Sequence, residues 1–295
     1  MRIVDTEIED TFAEAFRMRY TRLIVTAHDD YWLNAALQEF CGCAASVIGC
    51  EVEAGVERRL NGDESPDGRP AASVLVFGFS TEHLAKVVPN RAGQCLMTCP
   101  TTAVFDGLTG GEERIPLGRH IRYFGDGFQK SKLLAGRRYW RVPVMDGEFL
   151  VEDSAGVGKG VAGGNLIYQS DTLEAALDAA RRAVESLASM PGVITPFPGG
   201  MARSGSKVGS RYKALRASTA DAFCPTLRGR VVSQLHPAAN CAYEIVIDGV
   251  DEAAIRLAMR TALHASLPAK PVAIGAGNYG GKLGKFHFPL RELIG

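Results

Sequence analysis

"VAGGNLIYQSDTLEAALDAARRAVESLASMPGVITPF", residues 161–197, changes its hydrophobic period twice. Residues 161–170 read as a strand, residues 171–190 as a long amphipathic helix that Asp171 is placed to cap, and residues 192–197 as a strand again. Further on come a strand "CAYEIVID" (241–248), a helix "DEAAIRLAMRTALHASL" (251–267) and a strand "KPVAIGAG" (270–277). The order of this half is β-α-β-β-α-β.

The first half repeats that order. A strand "RLIVTA" (22–27) is followed by the helical "DDYWLNAALQEFC" (29–41) behind an aspartate cap. The strands "SVIGCEV" (46–52) and "ASVLVFGF" (72–79) flank the turn-rich "NGDESPDGRP" (61–70). "STEHLAKVV" (80–88) opens on a serine cap and reads as a helix, and "QCLMTC" (94–99) closes the set as a strand. Two such sets predict an α+β fold of two tandem ferredoxin-like lobes from an internal duplication, residues 1–146 and 147–295. Residues 118–129 and 137–153 alternate as β-hairpin arms between the lobes, with Met145-Asp146-Gly147 as a turn.

Composition narrows the function classes. With 33 Lys plus Arg against 33 Asp plus Glu the net charge is zero, so the basic field that nucleic-acid binding requires is missing. The apolar runs are strand-sized, and the acidic N-terminus lacks a signal-peptide core, which predicts a cytoplasmic chain with no membrane partner. The seven cysteines contain no C-x-x-C pair and are expected to be buried thiols. The six histidines form no H-x-x-x-H or H-x-H pair, so any metal site would have to be assembled from distant segments.

"GAGNYGGKLG" (275–284) concentrates five glycines near the C-terminus. Gly275, Gly277 and Gly280 have G-x-G-x-x-G spacing, but no second strand or acidic residue follows at the distance a dinucleotide site needs. A phosphate loop fails as well, because Ala276 and Leu283 stand where glycine and serine or threonine are required. These glycines more readily let a backbone or a flat ligand approach closely.

Glu244 lies within the strand "CAYEIVID", where alternation puts Ala242 and Val246 on its face. An apolar setting raises a carboxyl pKa and keeps an acid available near neutrality; an exposed or salt-bridged strand glutamate is the alternative. "PFPGGMARSGSKVGSRYKAL" (196–215) has no place in the β-α-β-β-α-β scheme, and its Ser204, Ser206, Lys207 and Ser210 could bind a carboxylate or phosphate, or simply face solvent. Ser204-Gly-Ser-Lys207 fits S-x-x-K, but Gly205 and Gly209 oppose the helix that motif needs, and S-D-N, K-T-G and G-x-S-x-G are absent. Cys224 and Cys241 carry no nucleophile signature.

Eight segments taken together are more specific: "IEDTFAEAF" (8–16), "GQCLMTCPTTAVFD" (93–106), "YFGDGFQ" (123–129), "GEFLVEDSAGVGKGVAGGN" (147–165), "PFPGGMARSGSKVGS" (196–210), "ASTADAFCPT" (217–226), "YEIVIDG" (243–249) and "GAGNYGGKLG". In this order, along almost the whole chain, they resemble the formylmethanofuran:tetrahydromethanopterin formyltransferase family. The neutral charge and the tail "FHFPLREL" (286–293) resemble bacterial members, of the kind found as the formyltransferase subunit of a formyltransferase/hydrolase complex.

The resemblance implies an acyltransferase of one-carbon metabolism (methylotrophy, formaldehyde oxidation). It moves a formyl group between a methanofuran-type amine and N5 of a tetrahydromethanopterin-type pterin, both co-substrates, with no metal or nucleotide cofactor. It further implies a homo-oligomer, dimer or tetramer, or assembly with hydrolase subunits. The family's catalytic glutamate falls on Glu244, held protonated to stabilise the oxygen of a tetrahedral intermediate. Carrier contacts are expected from Gly163, Gly164, Asn165, Ser206, Lys207, Ser210, Arg211, Asn278, Gly280, Gly281 and Lys282. The glycine pairs would admit flat rings, and the cations would meet carrier carboxylates. Two other readings stay open: a carrier-binding or scaffold subunit without activity, and an amidohydrolase using the loop serines.

Overall fold

The computed structural model describes residues 1–111 and 113–294; Gly295, where the second expected lobe ends, lies outside the described residues. Contacts divide the chain into Met18–Lys159 on one side, and Met1–Arg17 with Gly160–Gly295 on the other. The N-terminal segment thus groups with the C-terminal half, an association that local periodicity does not reveal.

In the Met18–Lys159 unit the elements are β1 (Phe12–Thr26, which begins in the other unit), α1 (Asp30–Cys41), β2 (Glu53–Leu60), β3 (Ala71–Gly78), α2 (Thr81–Arg91) and β4 (Ala103–Asp106). Their antiparallel pairing gives the spatial order β2-β3-β1-β4. Helix α1 starts where the Asp29 side chain accepts the Trp32 N–H, and it buries Leu33, Ala36, Leu37 and Phe40, one face at helical spacing. Each such Leu or Phe contributes about 1.5–3 kcal/mol relative to exposure. Ser80 caps α2 by accepting the His83 N–H.

Three sequence expectations in this unit are corrected. Residues 46–52 form turns, closed by Gly49 and Cys50 N–H groups on the Ser46 carbonyl, and the strand follows at Glu53–Leu60. Residues 94–99 are not a strand: Ala92–Leu96 continues α2 as a wide π turn, with Met97 N–H on the Ala92 carbonyl, and β4 begins only at Ala103. The arm expected at 118–129 coils instead, as Gly118–Ile121 and Arg122–Gly125. A Cβ at Gly118 would lie 2.7 Å from the Glu152 carbonyl oxygen, so glycine there permits close packing. The other arm forms as expected: β5 (Arg137–Val144) and β6 (Gly147–Glu152) pair around Met145-Asp146.

The second unit is built on β7 (Ser154–Ser170, which begins in the first unit), α3 (Leu173–Leu187), β8 (Cys241–Gly249), α4 (Glu252–Ser266) and β9 (Ala273–Gly275). Thr172 rather than Asp171 caps α3, by accepting the Ala175 N–H. The strand expected over 192–197 shrinks to Val193–Ile194, because Pro198 and the left-handed Gly199 and Gly200 turn the chain. The order across this sheet is Val193–Ile194, β8, β7, β9, then Thr6–Ile8. Ala176, Ala179, Ala180 and Ala183 give α3 a small-residue face, and α4 adds Ile255, Met259 and Leu263 to the same core. Residues 203–240 cross the rest of the unit mainly as turns and short 3-10 segments.

Candidate active site

Glu244 sits in the middle of β8, opposite Ile167 of β7 and opposite Ala202 of the Met201–Ala202 strand. It therefore has a paired strand on each side, and the residue is only 5 % exposed. Ser206 Oγ donates a hydrogen bond of 2.6 Å to Glu244 Oε1, and the Ser206 backbone N–H also reaches the carboxyl. Burial is the larger influence: it pushes the Glu244 carboxyl up to about 7 against the lowering effect of Ser206. This acid can therefore hold or release a proton near neutrality.

Two glycines leave room around it. A Cβ at Gly205 would stand 3.5 Å from Glu244 Oε2, and one at Gly277 would stand 3.7 Å from Oε1. The carboxyl borders a recess of about 40 Å³ that Gly205, Ala220, Cys224 and Tyr243 help to line. Ala202, Arg203, Ser204 and Tyr243 are shared with a wider groove of about 670 Å³, continued by Leu177, Phe197, Pro198, Met201 and Thr219. A buried acid next to an apolar groove with polar groups at its edge is a common form of small-molecule site.

The glycine-rich segment is fastened from two sides. Asn165 accepts the Gly277 N–H at 2.6 Å through Oδ1 and donates through Nδ2 to the carbonyls of Gly277 (3.0 Å) and Gly163 (3.1 Å). On the other side, Glu14 of β1, only 1 % exposed, accepts four backbone N–H groups: Tyr279 (2.7 Å), Gly281 (2.9 Å), Leu283 (2.6 Å) and Gly284 (2.5 Å). Burial alone would raise this carboxyl, but the four donors together bring it below the usual carboxylate range. Tyr279 O–H donates to the Ser206 carbonyl at 2.8 Å, and burial, followed by the nearby Glu244, pushes its phenol up to about 12.

Not all of the expected contact residues fall at this centre. Asn165 and Ser206 are within it. Gly163 has φ +97° at a bulge of β7, where a side chain would be strained. Gly164 faces the core: a Cβ there would meet Ile255 Cγ2 at 2.6 Å, so helix α4 fills the space expected to receive a flat ring. Asn278 donates to Thr11 Oγ1 and the Phe12 carbonyl and accepts the Gly280 N–H, shaping the loop itself. Gly280 and Gly281 both have φ +72°. Lys207 pairs with Asp221 at 2.6 Å, Ser210 Oγ accepts the Tyr212 N–H, and Arg211 and Lys282 are exposed. The cysteines also depart from expectation: Cys43 is exposed and the other six are intermediate.

Periodicity singled out neither Glu14 nor Tyr279. Glu14 stands between Ala13 and Ala15, both fully buried, and its donors are 265 or more residues away, so no local spacing marks it. Among the described residues no three His, Cys, Asp or Glu side chains converge as metal ligands, and no helix is long and apolar enough to cross a membrane.

Comparison with known proteins covers almost the whole chain. Residues 1–144 match the family described as formylmethanofuran-tetrahydromethanopterin formyltransferase, and residues 147–293 match its proximal lobe. The formylmethanofuran–tetrahydromethanopterin formyltransferase of Methylobacillus flagellatus is 52% identical, with 100% of both chains covered. The formylmethanofuran:tetrahydromethanopterin formyltransferase structure from Methanosarcina barkeri superposes with a TM-score of 0.93 at 43% identity, covering 100% of each chain. A structure of the formyltransferase/hydrolase complex from Methylorubrum extorquens, with methylofuran, gives a TM-score of 0.93 at 49% identity over 98% of this chain and 96% of that one. The chain belongs to the formylmethanofuran-tetrahydromethanopterin formyltransferase family of enzymes.

Proposed function

We propose that this chain transfers a formyl group between the amine of a methanofuran-type carrier and N5 of a tetrahydromethanopterin-type carrier, with Glu244 as the acid. The observation that carries this reading is a buried carboxyl with a pKa of about 7 bordering a recess next to a groove. In the direction toward the pterin, N5 attacks the formyl carbon and a C–N bond forms. The carbonyl oxygen becomes the oxyanion of a tetrahedral intermediate, and protonated Glu244 donates a hydrogen bond to it. The intermediate collapses by breaking the bond to the furan carrier's nitrogen. The proton lost by N5 ends on that amine, and Glu244 finishes protonated as it began. The same steps run in reverse.

Exclusion of water favours transfer over hydrolysis, and the enclosure of Glu244 suits that need. Lys207, Arg211 and Lys282 are assigned to carrier carboxylates, with no metal or nucleotide taking part. Each half is read as a ferredoxin-like lobe, since the strand orders β2-β3-β1-β4 and Val193–Ile194-β8-β7-β9 are equivalent. Assembly as a homo-oligomer or with hydrolase subunits, in the cytoplasm, completes the proposal. Formyl exchange between the two carriers by the purified chain tests it directly, and a chain inactive both alone and with hydrolase subunits would refute it.

A further inference from the structure

Glu14 occupies an anion site made by its own chain. Each of its oxygens accepts two backbone N–H groups, Oε2 from Tyr279 and Gly281 and Oε1 from Leu283 and Gly284, so all the acceptor sites of an ionised carboxylate are used. The loop turns left-handed at Gly280 and Gly281, and its Tyr279, Gly281, Leu283 and Gly284 N–H groups converge inward, a backbone concavity of the kind that binds anions. A Cβ at Gly284 would stand 2.5 Å from the Ala15 carbonyl oxygen, so the loop lies directly on β1.

From this anchor the contacts run toward the acid. The Tyr279 N–H is held by Glu14, the Tyr279 O–H holds the Ser206 carbonyl, and Ser206 Oγ holds Glu244. The Phe16 ring, with its centroid 5.9 Å from that of Tyr279, limits the tyrosine's movement. The geometry points to Glu14 as a positioning residue: an internal anion that fills the glycine-loop nest and, through Tyr279 and Ser206, fixes the Glu244 carboxyl for formyl transfer. This rests on the reading of Glu244 as the acid. It also accounts for a loop with glycine spacing like that of a phosphate site: the anion it binds is a side chain of the same protein.

Three variants test the inference: Glu14→Gln, Glu14→Ala and Tyr279→Phe, assayed for formyl exchange in the assembly the protein forms, beside Glu244→Gln. Glu14→Gln keeps the shape but turns an amide NH2 toward backbone N–H donors; kcat is expected to fall about thirtyfold or more, with KM for both carriers within about threefold. Tyr279→Phe leaves the nest intact and is expected to lower kcat about five- to tenfold with nearly unchanged melting. The double variant should lose little beyond Glu14→Gln, because both act on one chain of contacts.

In Glu14→Ala the emptied nest should take up acetate. Melting temperature and kcat should then both rise with added acetate and not with chloride at equal ionic strength. Folded Glu14→Gln or Tyr279→Phe with wild-type kcat, while Glu244→Gln is inactive, would overturn the inference and leave the acid assignment standing. An effect confined to KM would overturn it too. If Glu14→Gln does not fold, Tyr279→Phe alone decides. Wild-type kcat in Glu244→Gln would remove the acid assignment itself.

Discussion

Ser206 Oγ donates to Glu244 Oε1 at 2.6 Å, and the residue that makes this contact is itself held through its carbonyl by Tyr279. Through these two hydrogen bonds Ser206 links the loop at residues 203–210, the glycine-rich segment and the acid on β8. It also opposes the influence of burial, since a donor to the carboxylate favours the ionised form.

The acid form is needed, so kcat should be level below about pH 7 and fall roughly tenfold per pH unit above it, following the raised pKa of Glu244. Ser206→Ala removes a contact that lowers that pKa. Its descending limb should move to higher pH, while kcat on the plateau drops because the carboxyl is less firmly placed. A pH profile of kcat for both proteins checks this, and a limb that stays put or moves to lower pH contradicts it.

Stability should carry the same signature. The folded pKa of Glu244, about 7, lies above the ordinary 4.5, so between these values the folded chain keeps a proton that the unfolded chain has released. The contribution is fully present below about pH 4.5 and is lost as pH rises to about 7, a change of about 3 kcal/mol. Denaturant titrations at pH 4.5 and pH 8 should show wild type losing about that much more than Glu244→Gln across the interval.

The glycines of residues 275–284 should separate by position. Gly284→Ala drives a methyl into the Ala15 carbonyl and the Glu14 stem, so it should lower the melting temperature as well as activity. Gly277→Ala finds ordinary contact distances to Asn165 and Glu244, so it should fold normally yet place a methyl beside the acid and cut kcat. Thermal melts beside initial rates distinguish the two.

Lys207 and Asp221 form an ion pair with both side chains more than a third exposed, so solvent screens it and it adds little to stability. Lys207→Ala should leave melting almost unchanged. If this lysine meets a carrier carboxylate, KM for that carrier should rise about threefold to tenfold with kcat preserved, and the rise should shrink at high salt.

What was legible in the sequence was local or periodic. Helices α1 and α4 begin where Asp29 and Asp251 stand, because a cap and an apolar stripe are both written within a few residues. The buried setting of Glu244 was one of two readings that alternation along β8 allowed, the other being an exposed or salt-bridged glutamate, and its 5 % exposure selects the first. Residues 94–99 were misread because a short apolar run fits a strand or a buried helical turn equally well, and only the backbone bonding to Ala92 decides. Gly164 was assigned to carrier contact because a glycine does not disclose what fills its space; here it is Ile255. Glu14 was missed because its partner Tyr279 is 265 residues away, and a glutamate with such distant donors leaves no spacing to read.

The most direct test of the account is formyl exchange between the two carriers by wild type and Glu244→Gln at pH 6.5. Glutamine retains a hydrogen-bond donor of similar size but cannot act as an acid. A loss of about a hundredfold or more in kcat, with the variant folded and still binding both carriers, is the predicted result. Equal rates in the two proteins would contradict it and remove Glu244 from the chemistry.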